Sequence, residues 1–139
     1  MLTKAEIISI GNELLIGKTV NTNATWLAQR LTHLGIDVRR MLVVGDSVEE
    51  ISSSLKDALK RGPGIIVTTG GLGPTYDDMT LKGVATAAEV PLKENQEALQ
   101  MIRESYKHIG LQLTPARVKM SRMPRCAKPL RNPVGTAPG

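Results

Sequence analysis

At 139 residues, 41% hydrophobic and 22% charged, the chain has the size and composition of one globular domain. No apolar run nears the ~20 residues of a membrane span, and the opening Met1-Leu2-Thr3-Lys4-Ala5-Glu6 lacks a signal-peptide plan, so a cytoplasmic protein without a membrane partner is expected. Cys126 is the only cysteine, which excludes an internal disulfide and a cysteine-built zinc site.

The net charge of +5 is unevenly placed. Arg117, Lys119, Arg122, Arg125, Lys128 and Arg131 lie beyond residue 110, where there is no acid at all. Such a stretch suits a solvated surface or a rim that attracts an anionic small molecule. Nucleic-acid binding is not expected, because strand binding draws on stacking aromatics and only Trp26, Tyr76 and Tyr106 are present.

An apolar run at 5–10 predicts a first strand. Ala24, Leu27, Ala28, Leu31 and Leu34 recur at helical spacing and predict a helix over 22–34, with Gly35 as its stop. A second strand follows at 36–44. A helix over 47–61 turns Ile51, Leu55, Ala58 and Leu59 inward, and Gly62-Pro63-Gly64 breaks it before a third strand at 64–69. Leu81, Val84, Ala85 and Ala88 predict a helix over 79–89. Pro91 separates it from a helix over 93–109 with Leu99, Ile102, Tyr106 and Ile109 inward. A short helix at 114–123 and a fourth strand at 128–131 precede the loop 132–139.

Alternating strands and helices predict a three-layer α/β/α sandwich with a mainly parallel sheet and right-handed crossovers. The expected order of the first three strands is 2-1-3, which places a switch point between strands 1 and 3. Ligands bind such sheets at the carboxyl ends of the strands. Each strand there ends in a polar motif: Gly11-Asn12-Glu13-Leu14-Leu15 with Asn21-Thr22-Asn23, then Gly45-Asp46, then Gly70-Gly71-Leu72-Gly73-Pro74-Thr75-Tyr76-Asp77-Asp78.

The third motif is the most informative. Glycines in a strand-to-helix turn let backbone approach a ligand and leave amide N–H groups free for an anion. Carboxylates beside a phosphate make sense when a divalent cation sits between them. The motif therefore predicts a metal–phosphate site. Plainer roles exist: Asp46 and Asp78 stand where helix caps would, although Ser47 and Asp77 offer alternative caps. Asn12, Asn21 and Asn23 suit turns and caps. His33 and His108 lie near helix ends, and Cys126 reads as a spare thiol. Trp26 falls off the apolar face of its helix and predicts boundary packing or a subunit contact rather than catalysis.

These residues resemble the molybdopterin-binding domain family in its CinA-type branch. Gly11-Asn12-Glu13-Leu14-Leu15-Ile16-Gly17 is similar to the family's opening motif, and Gly70-Gly71-Leu72-Gly73-Pro74-Thr75-x-Asp77-Asp78-x-Thr80 to its most specific signature. Asn132-Pro133-Val134-Gly135-Thr136-Ala137-Pro138-Gly139 resembles its late loop. The resemblance implies an α/β/α sandwich that forms homo-oligomers. Related domains bind molybdopterin, and CinA-type domains are linked to metal-dependent pyrophosphate cleavage of ADP-ribose and similar dinucleotides. Asp46 and Asp78 match the two acidic positions held functional in the pterin branch. The family domain normally continues past the position of Gly139, and a nicotinamide-nucleotide deamidase domain often follows. The expectation is thus one domain over 1–139 without that last segment and without deamidase activity.

The leading expectation is a divalent-metal-dependent pyrophosphatase acting on an ADP-ribose-like nucleotide, with magnesium or a cobalt-like ion. Asp46 and Asp78 are its expected catalytic residues, and Asp77, Asp78 and Glu13 its expected metal ligands. Gly70, Gly71, Gly73, Thr75, Asn12 and Thr136 are the expected phosphate and ligand contacts. The alternative is a molybdopterin-binding protein of molybdenum cofactor biosynthesis that hydrolyses nothing. The loop 132–139 is expected to fold back and to order with ligand.

Overall fold

The structure, a computed structural model, describes residues 3–139. The chain divides after Gly70 into two compact units. No helix among the described residues is long and apolar enough to cross a membrane.

The first unit is built on strand β1, Lys4–Ile10. It pairs in parallel with β2 (Asp37–Val44) on one side and β3 (Ile65–Thr69) on the other, giving the order β2-β1-β3 expected from the sequence. Ala5, Ile7, Ile8 and Ile10 are buried, as an apolar strand must be when both faces of a parallel sheet are covered. Helix α2 (Thr22–His33) leads from β1 to β2, and α3 (Val48–Arg61) leads back across β1 to β3. Right-handed crossovers in opposite directions place these helices on opposite faces, which makes the three layers.

Local chemistry explains the helix ends. The Asn21 side chain accepts from the Ala24 N–H (3.2 Å), and the Ser47 side chain caps α3 by accepting from the Glu50 N–H (3.4 Å). Ile51, Leu55 and Ala58 are buried on α3, whereas Leu59 and Leu34, both expected inward, are exposed. Leu59 follows Ala58 by one residue, which rotates it off the buried face. Leu34 lies past the last helical residue. Trp26 is exposed, with the Arg30 guanidinium 5.6 Å from its ring centroid. A single-turn helix α1, Asn12–Leu15, is too short to leave a periodic signal and was not expected.

One buried charge belongs to this unit. Glu6 is 4% exposed and receives both a bond from Arg61 Nε (2.8 Å) and one from Arg61 Nη2 (2.6 Å). The Arg61 hydrogen bonds hold the Glu6 carboxyl below the usual glutamate range and outweigh the burial that pushes it up. With a folded value below the unfolded one, the stabilisation is complete above about pH 4.3 and is lost as pH falls through the folded value. Glu6→Gln should cost about 1.5–3 kcal/mol at neutral pH, the worth of hydrogen bonds to a charged group. Urea midpoints at neutral and acid pH measure this. The gap between wild type and variant should narrow in acid, and a constant gap would contradict the assignment.

The second unit departs from the sequence reading. Helix α4 spans Thr80–Ala87, two residues short of the expected end, because Glu89 turns left-handed (φ 56°). The helix expected over 93–109 is α5, Gln96–His108, and starts only where the Asn95 side chain accepts from the Ala98 N–H (3.0 Å). The residues before it form a short strand β4, Leu92–Glu94. The helix expected over 114–123 is instead α6 (Pro115–Val118), a 3-10 turn at Lys119–Ser121 and strand β5 (Arg122–Pro124), which pairs antiparallel with β4.

The strand expected at 128–131 is absent. Leu130 exchanges single backbone bonds with Gly139 (2.7 and 2.9 Å) and extends the pairing no further. Ile102, Tyr106 and Met120 form the core, with Leu113 and Ala137 against it. Ile109, also expected inward, is the exposed C-cap of α5.

Candidate functional site

In the first unit the polar motifs do gather at the carboxyl ends of the strands. The Asn12 N–H donates to Asp46 Oδ2 (2.9 Å), and the Asp46 N–H donates back to Asn12 Oδ1 (3.2 Å). This reciprocal pair ties the turn after β1 to the turn after β2. Asp46 is therefore free of capping duty, which Ser47 performs. The Gly45 N–H donates to Glu50 Oε2 (2.9 Å), so a second carboxylate steadies the same turn.

Asn21 bonds the buried Ser9 hydroxyl (3.0 Å) as well as capping α2, and Asn23 Nδ2 reaches Thr69 Oγ1 (3.4 Å). Glu13, Asn21, Asn23, Thr69 and Gly70 line a cleft of about 120 Å³. Asn12 and Asn21 thus serve the backbone, as their chemistry suggested, whereas Asn23 bonds a side chain instead.

The second unit carries the rest of the glycine–aspartate motif. Asp78 Oδ2 accepts from the Thr75 N–H (2.8 Å) and from the Thr75 hydroxyl. The Thr80 N–H donates to the Gly71 carbonyl (3.1 Å) and closes the turn from the other side. Neither aspartate caps α4, whose cap position is Met79 without a side-chain bond. The bland role for Asp78 is thereby removed, and its carboxylate shapes the loop instead.

Lys119 Nζ donates to the carbonyl oxygens of Thr75 and Asp78, the latter at 3.2 Å. The Thr75 hydroxyl, the Asp77 backbone and the nearby Lys119 charge hold the Asp77 carboxyl below the usual range against a smaller desolvation effect. Asp77 is an anion at any physiological pH.

This turn opens onto a cleft of about 440 Å³. Leu81, Leu92 and Met120 supply an apolar wall, Gly71 and Gly73 expose backbone, and Lys82, Lys119 and Arg122 bring positive charge. Such a lining accepts a flat ring on one side and a phosphate on the other. Lys119 and Arg122 belong to the basic stretch noted in the sequence. Lys82 was missed there, since nothing in a helical lysine marks it as facing a cleft.

Among the described residues, no three His, Cys, Asp or Glu side chains converge as a metal set. Asp77 and Asp78 lie in the second unit, Glu13 and Asp46 in the first. Thr136, in the late loop, donates its hydroxyl to the Tyr106 hydroxyl of α5 (3.1 Å), and Arg117 stacks 4.4 Å from the same ring. Asn132 folds the late loop on itself, accepting from the Val134 and Gly135 N–H groups (3.0 and 2.9 Å) and donating to the Ala137 carbonyl (3.0 Å).

A family model described as "probable molybdopterin binding domain" matches residues 6–139. The chain belongs to the molybdopterin-binding-domain family. Within it, the CinA-type resemblance holds. A crystal structure of CinA from Thermoplasma acidophilum, itself described as of unknown function, is 45% identical, with a TM-score of 0.91 over 98% of this chain and 79% of that one. A protein of Metallosphaera sedula is 53% identical over 139 residues, which is all of this chain and 52% of the relative. The tungsten cofactor synthesizing protein MoaB from Pyrococcus furiosus is 25% identical, with a TM-score of 0.59 over 78% of this chain and 66% of that one. This molybdopterin-binding-domain chain spans about half the length of the curated relatives it matches.

Proposed function

We propose that the chain binds a phosphorylated pterin of the molybdopterin class in the cleft beside α4. The observation that carries this reading is the glycine turn opening onto an apolar wall ringed by three cations. Amides of Gly71 and Gly73 would receive the phosphate, and Lys82, Lys119 and Arg122 would offset its charge. Leu81, Leu92 and Met120 would stack the ring system. The edge of a pterin carries N–H donors, which suit the carboxylate of Asp78 in the cleft lining as an acceptor, with Asp77 next to it in the chain.

Those two adjacent carboxylates also carry a second reading, metal-dependent cleavage of an ADP-ribose-like dinucleotide. A divalent ion would then be held between Asp77 or Asp78 and the phosphate of the ligand itself. Calorimetry and product analysis with a molybdopterin source, ADP-ribose and AMP, with and without magnesium or cobalt, separate the two. Saturable pterin binding without turnover is expected. Metal-dependent release of AMP from ADP-ribose would overturn the binding reading. Self-association through the exposed Trp26 belongs to the same proposal, and a one-chain mass by light scattering at micromolar concentration would remove it.

A further inference from the structure

At the opposite end of the parallel sheet, where β1 and β2 begin, the chain builds a second basic cleft. Lys4, Arg39, Arg40 and Arg61 line it around the buried Glu6, in a volume of about 160 Å³. Consecutive residues of a strand point to opposite faces, so Arg39 and Arg40 should diverge. They do not, because the register slips: Ala5 faces Val38, the next residue Glu6 faces Arg40, and Arg39 is the extra residue of a β-bulge. Bulges on edge strands re-aim side chains, and this one brings two adjacent arginines into one cleft.

Glu6 organises the floor. It accepts two bonds from Arg61 and lies 3.9 Å from Arg40 Nε, so its charge is already met from within the protein. Arg39 also reaches Asp37 (3.2 Å), leaving four cations against two carboxylates. An excess of guanidinium groups fixed by a buried acid is the chemistry that takes a tetrahedral dianion. We infer that this bulge cleft is a second anion site, for inorganic phosphate or the terminal phosphate of a small phosphate monoester. The inference stands apart from the pterin reading, because every residue in it lies in the first unit and at the amino ends of the strands.

Amide and arginine side-chain NMR signals, followed during titration with inorganic phosphate at constant ionic strength, test it. Saturable shifts at Val38, Arg39 and Arg40 are expected, with Gly71 and Gly73 reporting the other cleft separately. Arg39→Gln with Arg40→Gln should weaken that response about tenfold or more, the usual scale for lost charge-assisted bonds. Lys4→Gln serves as the milder variant if the double one fails to fold. A parallel titration with AMP distinguishes a monoester site, where the same signals move, from one confined to the free ion. Shifts at residues 38–40 that chloride reproduces, or that persist unchanged in the variants, would overturn the inference.

Discussion

Gly70→Ala is expected to destabilise the protein by about 3–5 kcal/mol, among the largest effects available to a single methyl group. Gly70 closes β3 with φ 95°, a conformation that costs an L side chain about 1–2 kcal/mol on its own. The added Cβ would also lie 2.1 Å from the Ile10 carbonyl oxygen. That oxygen is backbone at the end of the central strand and cannot swing aside. Relief therefore requires β1 and β3 to part where their pairing ends at Ser9 and Thr69. Urea denaturation measures the effect, and an unchanged midpoint would show that the strand ends yield more cheaply than their geometry implies.

Asp78→Asn should leave the fold intact and weaken pterin binding by about tenfold to a hundredfold, the scale of 1.5–3 kcal/mol for hydrogen bonds to a charged group. Two effects oppose one another here. Removing a carboxylate near a bound phosphate relieves repulsion, worth about 1 kcal/mol for unit charges 4 Å apart in water. Against that, the variant loses the charge-assisted clip from the Thr75 N–H and hydroxyl that shapes the phosphate turn. The clip is the larger effect, so affinity should fall.

Gly73→Ala provides an independent route to the same loss. Its Cβ would sit 2.6 Å from Asp78 Oδ2, and a side chain can move where the Ile10 carbonyl cannot. Affinity measured by calorimetry that rises in Asp78→Asn would mean that the carboxylate merely repels the ligand.

What the amino-acid order determined is local and repetitive. Strands at 5–10, 36–44 and 64–69 were legible because apolar runs of that length stand out between turn residues. The helices around them were legible through a 3.6-residue period. Order β2-β1-β3 was expected by placing strand 3 on the far side of strand 1 from strand 2, one of the few arrangements that right-handed crossovers leave. The glycine–aspartate turn was legible because its glycines and carboxylates are consecutive.

Tertiary structure decided whatever joins distant residues or lacks a period. Strands β4 and β5 have three residues each, too few for any alternation, and exist only because they find one another across 27 intervening residues. Asn12 and Asp46 meet across 34 positions, and Lys119 reaches the Thr75 carbonyl across 44. Arg39 and Arg40 share a cleft only through a slip in register against β1. No sequence window carries such pairings, because each partner's choice depends on where the backbone brings the other. Residue types therefore named the candidate groups of the site, while their arrangement, with Lys119 bonded to two carbonyls of the aspartate loop, awaited the fold.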